Sequence, residues 1–217
     1  PPPVGAATGD PGASGPSGSA APLPTGTGTL GPDGPSGTWT IDTTIGSFED
    51  FTSSFVGYRV DETFTDQRAN TAVGRTPDVE GSLVLNGSTL TTVEVTADLT
   101  TLRSDDDRRD GQLRRQAIET EQFPTATFRL TSPVELGAVP VDGQAIETTA
   151  TGELTLHGVT RTVEVPITAR LSGDVVTVTG SIEIRFADYD IEQPRSFLVL
   201  SIEDHGIMEF QLHFRHG

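Results

Sequence analysis

The sequence predicts an all-β domain of about eight antiparallel strands, folded as a barrel or a sandwich, with one short helix. Beyond Trp39, apolar and polar side chains alternate over most of the chain, and a period of two is typical of half-buried strands. Turn signals separate these segments. Asn86-Gly87 is typical of a two-residue hairpin turn, and Ser172-Gly173-Asp174 indicates another tight turn. Connections this short join antiparallel neighbours.

The first 37 residues are predicted to lie outside the folded domain. They contain 10 of the 24 glycines and 9 of the 15 prolines, but only two charged residues, Asp10 and Asp33. Burial of so few apolar side chains does not offset the entropy lost on ordering. Residues 1–37 are therefore interpreted as a disordered or semi-extended linker, and residues 38–217 as one domain. Residues 26–31 match the dinucleotide-binding pattern GxGxxG, but the prolines on both sides exclude the strand and helix that this pattern requires.

The alternation predicts the strands in order along the domain. In residues 93–99 the odd-numbered positions are apolar, whereas Glu94, Thr96 and Asp98 occupy the opposite face. Further strands are predicted at residues 83–85, 128–130, 154–156, 163–167, 176–178, 182–186 and 210–214.

One segment, at about residues 104–119, is predicted to be helical. Ser104 is the candidate N-cap, the acidic residues 105–107 occupy the first turn, and Arg114 and Arg115 lie in later turns. This order of charges complements the helix dipole. Pro124 ends the helical tendency, after which the alternation of a strand resumes.

Composition and charge exclude several classes of protein. All 14 basic residues are arginine, 31 residues are acidic, and the formal net charge is −17. Nucleic acids and anionic membrane surfaces require clustered positive charge, so neither is expected as a partner. The absence of cysteine excludes disulfides, thiol catalysis and cysteine-ligated metals. No stretch approaches the roughly 18 apolar residues of a membrane-spanning helix.

The histidines and acidic residues form no active site that the sequence reveals. The acidic run at 105–107 lacks the glycine and distal glutamate of an EF-hand loop, and is interpreted as a solvated helix N-terminus. His213 and His216 are three apart on a predicted strand, so they face opposite sides. His157-Gly158 is predicted to form a structural turn. No metal, cofactor or catalytic residue is expected, and the chain is predicted not to be an enzyme.

Four motifs, in this order and at this spacing, resemble those of the YceI-like family of bacterial envelope and secreted proteins. They are Trp39-Thr40-Ile41-Asp42, Arg109-Asp110 with Leu113, residues 123–128 (FPTATF) and residues 152–161 (GELTLHGVTR). The resemblance covers about residues 38–215. Residues 186–191 and 201–206 resemble the actinobacterial branch of the family.

The resemblance implies an eight-stranded, lipocalin-like antiparallel barrel that encloses an apolar channel for a polyisoprenoid or another long amphiphile. It also implies an extracytoplasmic location, secreted or anchored in the cell envelope through a segment that preceded Pro1. The chain departs from the common family pattern at residues 43–47, where a His-Ser pair often follows the opening motif. Gly111-Gln112 also stands where an acidic residue and a histidine are common.

The first functional hypothesis is therefore non-enzymatic binding or transport of a polyisoprenoid or fatty-acyl ligand. Strand alternation predicts the channel wall, and an anionic head group would meet an arginine at the mouth, with Arg109 favoured because it lies in a matched motif. The candidate head-group residues are Arg59, Arg75 and Arg109. The candidate wall residues are Val95, Leu99, Phe128, Leu130, Leu154, Val165, Ile184 and Phe210.

The sequence also allows two other hypotheses for the function. A barrel of this size is either filled by its own side chains or open to one small ligand, so a structural or interaction module displayed at the cell surface is the first alternative. A hydrolase or metal enzyme that uses His205 with Asp204 or Glu203 is the second. An apolar cavity of at least about 300 Å³ would favour ligand binding.

Overall fold

The computed structural model describes Gly26, Leu30, residues 34–194 and residues 199–217. The predicted linker lies mostly outside the described residues, and the first strand begins at Gly37. Leu30 packs against the hydrophobic core, and the backbone N–H of Gly26 donates to Ser172 O at 3.2 Å. Among the described residues, no helix is long and apolar enough to cross a membrane.

Thirteen strands form one sheet in the described part of the chain. They are β1 (Gly37–Ile41), β2 (Phe55–Phe64), β3 (Ala69–Thr76), β4 (Val79–Asn86), β5 (Thr89–Asp98), β6 (Arg103–Ser104), β7 (Thr125–Leu130), β8 (Val134–Glu135), β9 (Ala145–Leu156), β10 (Val159–Ser172), β11 (Val175–Arg185), β12 (Val199–Ile202) and β13 (His205–His216). The helices are α1 (Asp107–Gln112), a π-helical turn (Leu113–Ala117) and a 3₁₀ turn (Phe186–Tyr189).

Eight of these strands close into an antiparallel barrel, which confirms the predicted fold. The hydrogen-bonded order is β1-β4-β5-β7-β9-β10-β11-β13, and β13 pairs again with β1. The ring closes at Trp39, which pairs with Leu83 on β4 and with His216 on β13. Closure removes the free edges that an open sheet would expose.

Four of the remaining strands extend the wall at one end of the barrel, and the fifth, β8, pairs with β5. One edge of β13 pairs with β11, and the opposite edge is shared by β1 and β2. Strands β3 and β12 pair with β2, and β6 pairs with β3. The wall is therefore continued by β2 and β3 beyond the end of β1, and the helical segment follows directly after β6.

The predicted helix is present, but its N-cap is Asp106 and not Ser104. The Asp106 carboxylate accepts hydrogen bonds from the backbone N–H groups of Arg108 and Arg109, two of the donors that the first helical turn leaves unpaired. Ser104 belongs to β6, and its hydroxyl donates to the buried carboxylate of Asp110 at 2.6 Å. Ala117 is buried in the hydrophobic core, and Leu113, four residues earlier, packs against it.

The predicted hairpin turns are confirmed, with one shift in position. Asn86 still pairs with Thr89, so the central turn residues are Gly87 and Ser88, one residue beyond the predicted pair. Gly87 adopts a φ of 61°, which glycine reaches without steric cost. The predicted turn at His157-Gly158 joins β9 to β10, and both residues have positive φ.

His213 is a fully buried histidine on the outer face of β13. Its Nε2 donates to Thr52 O at 2.8 Å, and its Nδ1 accepts from the Thr177 hydroxyl at 2.9 Å. Burial lowers the pKa of His213, so the native state holds the neutral ring. His213 therefore packs between the barrel wall and the segment that leads into β2.

This burial predicts a loss of stability in mild acid. The unfolded chain takes up the proton once the pH falls below about 6.5, whereas the native His213 resists protonation, so stability is full above that pH and decreases below it. Between about pH 7.5 and pH 5.5, we expect this histidine to account for a loss of about 1 kcal/mol in the free energy of unfolding. Urea titrations of the native protein and of His213→Gln at both pH values measure this loss. The variant should lose less stability between the two pH values, whereas substitution of the half-buried His205 by glutamine should preserve the loss.

Candidate ligand-binding channel

Two cavities lie inside the barrel, and we name them by their linings. The Trp39 chamber has a volume of about 140 Å³ and is bounded by Trp39, Leu83, Phe214 and other apolar side chains of the closed ring. The helix chamber, about 510 Å³, lies among β2, β12, β13 and the helical segment. Val56, Ala126 and Met208 line both chambers, so the two adjoin there, and we refer to them together as the channel.

Inward-facing glycines make room for aromatic side chains along the channel wall. A Cβ atom on Gly152 would collide with the Phe128 ring, and one on Gly180 would lie 2.6 Å from Cζ of Phe210. The pairs Gly152 with Phe128 and Gly180 with Phe210 each join neighbouring strands. Because the glycines have no side chain, the rings lie close to the backbone of the wall and the barrel axis stays open.

Seven of the eight predicted wall residues line the chambers. The Trp39 chamber is lined by Val95, Phe128, Leu154, Val165 and Phe210. The helix chamber is lined by Leu99 and Ile184. Leu130 packs against the hydrophobic core around Trp39 and lines neither chamber. Contact of these residues with a ligand stays a prediction.

Only one of the three predicted head-group arginines lies at the channel. Arg59 and Arg75 lie on the outer face of the wall, where both pair with Glu209 at 2.9 and 2.7 Å. The guanidinium of Arg75 also lies between the rings of Phe51 and Phe55, 4.4 and 4.5 Å from their centroids. Both cations are thus engaged outside the chambers.

Arg109, on α1, lines the helix chamber and is held by two carboxylates. Its Nη1 lies 2.6 Å from Asp105 Oδ1, and its Nη2 lies 3.2 Å from Glu62 Oε1. Desolvation would lower the pKa of Arg109, but the hydrogen bond to Asp105 and the charge of Glu62 raise it, so the guanidinium stays charged. Glu62 is buried on β2 and also accepts a hydrogen bond from Asn70 Nδ2 at 2.7 Å.

Tyr58 lines the same chamber. Its hydroxyl oxygen is buried and has no hydrogen-bond partner among the described residues. The ring packs over Gly74, where a Cβ atom would collide with it. Burial raises the pKa of the Tyr58 phenol, so the hydroxyl keeps its proton.

Comparison with known proteins identifies the family. A family model described as the YceI-like domain matches residues 39–214. The chain belongs to the YceI-like family. The resemblance that the four motifs predict is thus confirmed. No curated protein matches the chain in sequence.

Solved structures share the fold of this YceI-like domain. A polyisoprenoid binding domain from Saccharophagus degradans is 20% identical, with a TM-score of 0.63 over 83% of this chain and 98% of that one. BcnA from Burkholderia cenocepacia is 18% identical, with a TM-score of 0.53 over 72% of this chain and 95% of that one. A YCEI protein from Campylobacter jejuni is 15% identical, with a TM-score of 0.53 over 66% and 84% of the two chains. At these identities the similarity establishes the fold.

Two polar residues of β2 that were not among the predicted site residues, Tyr58 and Glu62, line the helix chamber of this YceI-like domain. Both lie on β2, on the face that also presents Val56, Val60 and Phe64 to the helix chamber. Glu62 interrupts an alternating row of apolar residues, and a carboxylate is costly to bury unless it is paired. Its position in that row was the signal in the sequence that could have identified it. Its partner, Arg109, is 47 residues away in sequence, so the pair emerges only when the chain is folded.

The histidine sites lie apart from both chambers. His205 Nδ1 lies 3.0 Å from Asp204 Oδ1, which raises the pKa of the histidine, and Glu203 completes an exposed group whose ligand atoms lie within 4.8 Å. None of the three lines the channel. His157 is buried, and its Nδ1 donates to Tyr189 O at 3.0 Å while Nε2 faces Glu119 Oε2 at 3.0 Å. It ties the β9–β10 turn to two neighbouring segments, which fits the predicted structural role.

Proposed function

We propose that this YceI-like domain binds a long-chain amphiphile, of polyisoprenoid or fatty-acyl type, without chemical conversion. The helix chamber carries the proposal, because its volume of about 510 Å³ lies within the range typical of small-molecule sites and its lining is mostly apolar. The Saccharophagus degradans domain with the same fold is described as polyisoprenoid binding. An extracytoplasmic location, secreted or envelope-anchored, belongs to the same proposal.

The energetics of such binding depend on the tail. Each methylene group transferred from water into the channel contributes about 0.8 kcal/mol, so a long chain binds tightly without directional contacts. The predicted wall residues that line the chambers come from most strands of the closed ring, so they would surround the tail on all sides. Selectivity for the tail is then set by the length and width of the channel, and selectivity for the head group by the polar atoms of the helix chamber.

This proposal is tested by recovery and uptake of ligand. The protein is purified from a bacterial host, measured by native mass spectrometry and extracted with organic solvent. We expect one amphiphile per barrel and, after extraction, saturable binding of the fluorescent ester methyl parinarate. Extracted protein that remains folded by circular dichroism but takes up neither this ester nor a polyprenyl alcohol would count against ligand binding and in favour of a purely structural module.

A further inference from the structure

The charges around the helix chamber bear on which head group it accepts. Arg109 is the chamber cation that reaches Glu62, and its charge is already matched by Glu62 and Asp105. Asp110 is a further buried carboxylate on the same helix, and it accepts hydrogen bonds from the backbone N–H and the hydroxyl of Ser104. Arg108 also lines the chamber, as do the acidic residues Asp106 and Glu192, so acidic groups outnumber basic ones around it.

Several of these charged groups act on the Tyr58 hydroxyl. Of the nearby charges with the largest effect on the pKa of Tyr58, Arg109 lowers it, whereas Asp110, Glu62 and Asp105 raise it. An anionic head group beside Tyr58 would lose its hydration and meet a net negative surrounding in a medium of low dielectric. An uncharged head group would avoid that repulsion.

The unpaired Tyr58 donor points to the chemistry of the group that fits. A buried donor without a partner is costly, and the cost is relieved when a bound molecule supplies an acceptor. A carbonyl, ether or hydroxyl oxygen supplies such an acceptor without a charge. The rest of the chamber beyond these polar residues is lined mainly by apolar side chains, which suit the adjoining tail.

We propose that the channel selects amphiphiles with an uncharged, oxygen-bearing head group, which accepts a hydrogen bond from Tyr58, and that Glu62 excludes anionic ones by neutralising Arg109. This rests on the proposed function and replaces the anionic head group that the sequence predicts. Tyr58 and Glu62 are then the residues that determine specificity, on one strand of the chamber wall.

The test compares ligands that share a tail and differ in the head group. Methyl oleate, oleate and octadecene are titrated against delipidated protein by displacement of methyl parinarate, below the concentration at which oleate forms micelles. For the unmodified protein we expect methyl oleate to bind at least roughly tenfold more tightly than oleate, because the anion loses hydration in a chamber where acidic groups outnumber basic ones.

Two substitutions separate the contributions of the two residues. Tyr58→Phe removes the donor, and we expect it to weaken methyl oleate roughly tenfold while leaving octadecene unchanged. Tyr189→Phe is the matched control, since it removes a second buried, unpartnered hydroxyl that lines neither chamber, and should change no affinity. Glu62→Gln keeps the size of the side chain but removes one of the two carboxylates that pair with Arg109, so oleate should gain affinity relative to methyl oleate.

Equal affinity for oleate and methyl oleate in the unmodified protein would overturn the proposal, as would a Tyr58→Phe variant that binds both ester and hydrocarbon as before. A Glu62→Gln variant in which oleate gains no affinity relative to methyl oleate would show that Glu62 takes no part in the selection. These failures are distinct from failure of the proposed function, in which octadecene and both oleyl ligands all fail to displace the probe. Circular dichroism and thermal unfolding of each variant establish that the fold is retained.

Discussion

Replacing Trp39 by alanine is expected to lower the free energy of unfolding by about 3–5 kcal/mol, the usual cost of deleting a large buried aromatic side chain. Trp39 is fully buried and belongs to β1, the strand through which β4 and β13 complete the ring. Its indole N–H donates to Pro35 O at 3.0 Å, and its ring meets the His216 ring edge-on at 4.8 Å. The substitution removes packing at the closure of the barrel and also leaves the Pro35 carbonyl without this donor.

Urea unfolding followed by far-ultraviolet circular dichroism measures the effect, since Trp39 is the single tryptophan and its fluorescence is lost in the variant. Trp39→Phe serves as the control, because it retains an aromatic ring and should cost less than alanine. A loss below about 1 kcal/mol for Trp39→Ala, within the range of an ordinary surface change, would mean that closure of the ring does not depend on this side chain.

The strands were predictable because each one is indicated by a local alternation of apolar and polar residues. Residues 93–99 alternate strictly, and the structure turns Val93, Val95 and Ala97 toward the Trp39 chamber as that alternation requires. Closure of the barrel was not predictable from such a local pattern. It depends on the pairing of β1 with β13, which joins Trp39 to His216 across nearly the whole domain, and no local pattern specifies such a partner. The family resemblance supplied that part of the prediction.

The polar site was harder to predict than the wall for a physical reason. Arg109 was identified through a motif, but its role depends on what lies opposite, and Glu62 comes from a strand distant in sequence. Arg59 and Arg75 sit on odd-numbered positions of strands whose even-numbered positions face the chamber, so alternation places them outside. On β2, this alternation alone places Arg59 on the face opposite to Tyr58 and Glu62.

The glycines show why an open channel was not evident from composition. A barrel of eight strands has an interior that side chains are able to fill, and this chain carries enough apolar residues to do so. Space remains because Gly152 and Gly180 allow Phe128 and Phe210 to lie against the wall. Which aromatic ring covers which glycine depends on the register between β7 and β9 and between β11 and β13, and register is a property of the folded sheet.

Substitution of Ala126 by phenylalanine is expected to shorten the ligand that the channel accepts. Ala126 lines both chambers at the point where they meet, so a phenyl ring there separates the Trp39 chamber from the helix chamber. A space of about 140 Å³ holds about four groups of the size of water or methylene. At about 0.8 kcal/mol for each methylene, excluding four of them weakens a long ligand by about 3 kcal/mol, or roughly a hundredfold in affinity.

Titration of a series of methyl esters of increasing tail length measures this effect. In the unmodified protein the affinity should rise with each added methylene until both chambers are filled, whereas in Ala126→Phe it should stop rising once the helix chamber is full. Thr125→Phe is the matched control, since it places the same ring on the same strand at the adjacent exposed position, which lines neither chamber. If both variants follow the unmodified protein to the longest ester, tails do not pass Ala126, and the helix chamber alone holds the ligand.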